Sequence, residues 1–69
     1  MIPASIESLK ALNALIEEAQ YIKKVAKQTA DRLNGYDDAK VKKIWRGDNR
    51  IKCTFDTFSA IVKDFLYHI

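Results

Sequence analysis

Two glycines, one proline, one cysteine and one histidine are all that this chain holds of the residues that most often carry special chemistry. Each shortage excludes something. A lone Cys53 cannot form an internal disulfide. With a lone His68 and no cluster of soft ligands it cannot build a structural zinc site either. Gly35 and Gly47 are too far apart to make a glycine-rich phosphate loop. No apolar run approaches the roughly 18 residues needed to span a membrane. The first ten residues, MIPASIESLK, lack the basic region and apolar core of a secretory signal. Together with the single thiol, these absences give the expectation of a cytoplasmic protein in a reducing setting, with no membrane partner.

Catalytic groups are equally sparse. Cys53 and His68 are the one nucleophile–base pair, and nothing in the sequence orients the histidine. Cysteine is among the most buried residue types and usually acts as a small apolar side chain. Glu17 and Glu18 are neighbours on a helix and point about 100° apart, so they do not converge on one atom. Asp37 and Asp38 fit a turn or a helix start. The expectation is therefore a protein that is not an enzyme, with no cofactor, no metal and no small-molecule substrate.

What is present is a single domain over residues 1–69, with 48% apolar residues, an ordinary globular fraction. A chain this short buries only about 60% of its unfolded surface, so its fold gains from a partner. Residues 5–34 read as one long helix, capped by Ser5 and stopped at Leu33-Asn34-Gly35, where glycine accepts the left-handed conformation. Leu12, Leu15, Ala19, Ile22, Ala26, Thr29 and Leu33 alternate by three and four in a heptad-like seam. Leu9, Ile16, Val25 and Ala30 widen it. Residues 6–34 span about 43 Å, against a diameter of roughly 28 Å for a compact globule of this length. The helix must overhang its domain, bend, or pack on another chain. Leu12, Leu15, Ala19, Ile22, Ala26 and Leu33 are the candidate self-association residues of a homodimer or higher oligomer. A second helix is expected over 57–68, capped by Asp56, with Phe58, Ile61, Val62, Phe65, Leu66 and Ile69 as its apolar stripe.

The middle admits two courses. Ile51, Cys53 and Phe55 alternate with Arg50, Lys52 and Thr54, the period of a strand. A Gly47-Asp48-Asn49 loop would set Trp45 opposite Ile51 and Val41 opposite Phe55. The favoured fold class is thus α+β: a long N-terminal helix, a β-hairpin over 41–55 and a C-terminal helix. The alternative is all-α, three helices with a helix-turn-helix-like middle. There Asp37 caps a short helix over 38–46, Val41, Ile44 and Trp45 share a face, and Gly47 ends it.

Each course carries a resemblance. In the first, Gly47-Asp48-Asn49-Arg50-Ile51 followed by the Phe55–Phe65 helix resembles phage head-to-tail joining proteins of the W type, which implies a virion-assembly role. In the second, Ala30, Leu33, Val41, Ile44 and Gly47 followed by FDTFSAIVKDF is similar to Cro/repressor-type helix-turn-helix domains. That likeness implies residues 37–43 in a major groove, although Asp37 and Asp38 would there face phosphate.

The net charge is +3, from 12 Lys and Arg against 9 Asp and Glu. Much of the excess lies in Lys40, Lys42, Lys43, Arg46, Arg50 and Lys52, the candidate residues for holding a larger protein partner or a nucleic acid. Arg46-Gly47-Asp48 has the letters of an integrin-adhesion site, but adhesion requires secretion, and the tripeptide reads instead as a turn. The functional expectation is a small protein-interaction module that self-associates through its long helix and binds a larger protein as an assembly factor, adaptor or inhibitor. The alternative is a small basic DNA- or RNA-binding regulatory protein using Lys40–Lys52.

Overall fold

In the computed structural model, which describes residues 6–68, helix α1 runs from Ile6 to Arg32 without a break. The expected caps and stripe residue at Ser5 and Ile69 lie outside the described residues. Nothing inside α1 is helix-breaking, and Gly35 just beyond it takes φ +97°, the left-handed backbone that ends the helix. Helix α2 spans Asp38–Gly47 and helix α3 spans Phe55–Tyr67. The chain is therefore all-α, with α1 packed chiefly on α3 and α2 also packed on α3.

The α+β arrangement expected above is not formed. Residues 41–47 belong to α2, and the described residues contain no strand. The local helix signals prevail: the Asp37 carboxylate accepts the Lys40 amide at 3.2 Å, and Val41 is fully buried on the face that α2 turns inward. The period-two run that suggested a strand is a connection with a turn at Asn49 and Arg50 and a bend at Cys53, and it enters α3 at Phe55. Ile51 is buried, and Cys53 and Phe55 pack against the same core. The alternation reflects which side chains reach that core and not a ladder. The expected partner strand is replaced by side-chain ties, among them the Trp45 indole N–H donating to the Cys53 carbonyl at 2.9 Å. Helix α3 also starts earlier than expected. Thr54 rather than Asp56 is the N-cap, its hydroxyl accepting the Thr57 amide at 3.2 Å, and Asp56 lies in the first turn where its charge favours the dipole.

The core is small: Ala26 and Ala30 from α1, Val41 from α2, Ile51 from the connection, and Phe58 and Val62 from α3. Alanines on α1 let α3 approach closely, and Phe58 fills the space at the centre with no exposed area. The buried polar groups are paired. The Thr29 hydroxyl donates to the Val25 carbonyl at 2.8 Å, and the Ser59 hydroxyl hydrogen-bonds the Tyr36 hydroxyl.

All these core residues from α1 lie in its C-terminal half. Residues 6–20 are exposed throughout and project from the three-helix head. The described chain measures 49 × 26 × 17 Å, with a radius of gyration of 14.7 Å, against about 11 Å for a compact chain of this length. Of the courses open to the long helix, the chain takes the overhang.

Candidate interaction surfaces

The structure divides the seam of α1 in two. Ala26 lies in the head's own core, and Ile22 and Leu33 pack at its margin. These three are occupied by α2, α3 and the connections. Leu12, Leu15 and Ala19 lie on the projecting half, uncovered. Leu9, Leu12, Leu15 and Ile16 are 49%, 54%, 62% and 47% exposed, on one face at spacings of three and four. Lys10 and Glu17 lie on the opposite face, so the projecting half is amphipathic in isolation. These large apolar side chains form one cluster rather than the scattered apolar exposure common to all proteins.

The basic run is divided as well. Lys42, Lys43 and Arg46 surround Ala39 and Gly47 in one shallow concavity on the outer face of α2. Lys40 is exposed on the same helix, and Lys52 is exposed in the connection. The Lys42 ammonium sits 5.2 Å from the centre of the Phe55 ring, which fixes its stem against the head. Arg50 departs from this group. Its guanidinium lies 4.1 Å over the ring of Tyr21, in a cleft it shares with Ala14, Glu17 and Glu18. The expected run of six thus becomes a compact trio, two outliers, and one arginine turned toward the acids of α1.

Arg46-Gly47-Asp48 also resolves into separate parts. Arg46 and Gly47 complete the last turn of α2, and Asp48 caps it, its amide donating to the Trp45 carbonyl at 3.4 Å. One carboxylate oxygen of Asp48 accepts the Tyr21 hydroxyl at 2.6 Å, and the other accepts the Arg50 amide at 2.8 Å. The Tyr21 hydroxyl, followed by the backbone amide of Arg50, holds the Asp48 carboxyl below the ordinary aspartate range. The same hydrogen bond raises the Tyr21 phenol above its usual value. An adhesive tripeptide needs that carboxylate free; here it fastens the connection to α1.

A second tie holds the other connection. The Tyr36 amide donates to the Tyr67 hydroxyl at 3.1 Å, the Tyr36 hydroxyl reaches Asp38 at 3.3 Å, and Lys63 lies 4.6 Å over the Tyr36 ring. No sequence signal pointed to these tyrosine ties, because each joins residues far apart in the chain. Burial raises the Cys53 thiol above its ordinary pKa, which keeps it protonated at neutral pH. Cys53 precedes α3 and His68 follows it, where His68 pairs with Asp64 at 3.8 Å. The length of α3, about 20 Å, separates them. No group of His, Cys, Asp or Glu that could hold a metal ion occurs among the described residues. No helix among them is long and apolar enough to cross a membrane.

These features define a small three-helix domain with a projecting amphipathic helix. No protein-family model, no curated protein and no solved structure matches the chain. The hairpin on which the W-type resemblance depended is absent from the fold.

Proposed function

We propose that the chain is a non-enzymatic protein-interaction module, intracellular in setting, that self-associates through the projecting half of α1. The cationic face of α2 then holds a larger, acidic protein partner, as an assembly factor, adaptor or inhibitor would. One observation carries this reading: a 27-residue helix spends only its C-terminal half on its own core and leaves Leu9, Leu12, Leu15 and Ile16 half-exposed on one face. Covering the remainder of these side chains contributes about 1 kcal/mol each, about 8 kcal/mol for two copies. Association costs at least about 4 kcal/mol. The balance is at most about 4 kcal/mol, which corresponds to a dissociation constant of about a millimolar or weaker. Sedimentation equilibrium from about 10 μM to about 5 mM tests it. A single monomeric species over the whole range overturns self-association.

The trio Lys42, Lys43 and Arg46 supports a second reading, a small nucleic-acid-binding regulator. Its affinity would fall steeply with salt as counterions are released, about one power of concentration per phosphate contacted. Asp37 and Asp38, at the start of the same helix, weigh against it by placing negative charge where phosphate would lie. Binding to duplex and single-stranded oligonucleotides across a salt series decides. Absence of binding at low salt rejects this second reading.

A further inference from the structure

We infer that the projecting half of α1 pairs with the same segment of a second copy in antiparallel orientation, centred between Asn13 and Ala14, with the two heads at opposite ends. This rests on the self-association proposed above and specifies its geometry.

The segment is self-complementary in this register. Leu12 falls opposite Leu15 of the second copy and Leu15 opposite Leu12, while Leu9 and the second copy's Ile16 flank the same side of the seam, offset by two positions. The small residues Ser8 and Ala19 meet at the two ends. The overlap of exposed residues runs from Glu7 to Gln20, with Ile6 level with Tyr21 at the edge of the head. Tyr21, and with it the loop that Asp48 and Arg50 anchor, lies half a helical revolution from Leu12, so the loop leaves the apolar face open. The macrodipoles of the paired helices oppose, which favours the arrangement.

The parallel pairing fails on space. The apolar seam is continuous, running from Leu12, Leu15 and Ala19 into Ile22, Ala26 and Leu33, which pack into the chain's own core. Two parallel helices following that seam would lie about 8–10 Å apart along its length. At the level of the heads, both copies of α3 would have to enter that gap. Antiparallel pairing avoids the conflict because Ile6, where the described part of the second helix starts, falls level with Tyr21, short of the α1 residues in the head's core. A parallel seam does offer one contact the antiparallel one lacks, Glu18 beside Lys23 of the other copy. Formed twice in a two-fold dimer, this exposed ion pair changes affinity by at most about thirtyfold, which does not relieve a steric clash. The resulting rod carries a cationic α2 face at each end.

Disulfide trapping tests the orientation. Ser8→Cys and Ala19→Cys are made separately, each with Cys53→Ser to remove the native thiol, and mixed in equal amounts in a glutathione redox buffer. Positions 8 and 19 are exposed, and circular dichroism checks that each variant keeps its helices. Intact mass distinguishes the mixed 8–19 disulfide from the like 8–8 and 19–19 species. The expected result is mixed over like by on the order of tenfold. A predominance of like disulfides, or a statistical mixture, overturns the antiparallel register. A wild-type chain that sediments as a dimer while no pair of cysteines is trapped overturns it too. Monomeric sedimentation of the wild-type chain overturns the self-association itself, a separate outcome.

Discussion

Leu12→Ala separates the proposed dimer from the fold. Leu12 makes no contribution to the head's core, being 54% exposed on the projecting half of α1. Truncation to alanine removes about three carbons, each contributing about 0.8 kcal/mol when fully buried. Roughly half of that burial would come from the second copy, so the loss is about 1.2 kcal/mol per Leu12. A two-fold dimer contains the contact twice, which gives about 2.4 kcal/mol and a roughly 50-fold weaker dissociation constant. Sedimentation equilibrium supplies the constant, and thermal unfolding followed by Trp45 fluorescence supplies the stability of the head at a concentration where the chain is monomeric. The expected outcome is a large change in the first and none in the second. Lys10→Ala, on the opposite face, serves as the control and leaves both unchanged. A Leu12→Ala chain that dimerises as tightly as wild type refutes the reasoning, as does one whose head unfolds at a lower temperature.

Other perturbations address the head. Phe58→Ala empties the centre of the core, where the side chain has no exposed area, and should cost about 3–5 kcal/mol, much of what a chain of this length possesses; the cooperative thermal transition should be lost. Gly35→Ala meets no atom within 4 Å, so its cost is that of the left-handed backbone alone, about 1–2 kcal/mol in a denaturant melt. The Asp48 carboxyl has a lowered pKa in the fold because Tyr21 and the Arg50 amide stabilise its ionised form. Its contribution is present above the unfolded value near 3.9 and is lost as pH falls through the lower folded value, so Asp48→Asn should flatten the acid limb of the thermal-stability curve below about pH 4.

The two outer helices were legible because each carries a long apolar period with clear ends. Leu33-Asn34-Gly35 announced the stop of α1, and Phe58, Ile61, Val62 and Leu66 announced the inward face of α3, whereas Phe65, expected in the same stripe, is exposed. Length alone left overhang, bending and packing on another chain open, and the position of the core on α1 decides for the overhang. The middle was misread because Ile51, Cys53 and Phe55 alternate like a strand. A connection that bends at Cys53 and runs into a helix at Phe55 can lay the same three side chains on a core, and its carbonyl and amide groups can be satisfied by an indole or a helix cap rather than a ladder. Asp37 and the Val41, Ile44, Trp45 face did encode α2, but those signals competed with a pattern that looked more complete. The tyrosine ties were invisible because Tyr21 and Asp48 are 27 positions apart, and Tyr36 and Tyr67 are 31 apart. The seam on α1 was read as one surface; only the packing of α3 reveals that half of it is already spent.

The two tyrosine ties bear on how this chain can change length. Loops are ordinarily where insertions are absorbed. Here both connections are fastened to a helix, at Asp48 and at Tyr36, and an added residue in either would pull a tie out of reach. Indels should instead accumulate in α1 ahead of Tyr21. One added residue there rotates everything N-terminal to it by about 100° and takes the apolar stripe of the projecting half out of line with the rest of the seam, whereas seven nearly restore the phase. Relatives of this protein would then differ in steps of a heptad, with heads nearly identical in length and stalks that are longer or shorter by two turns.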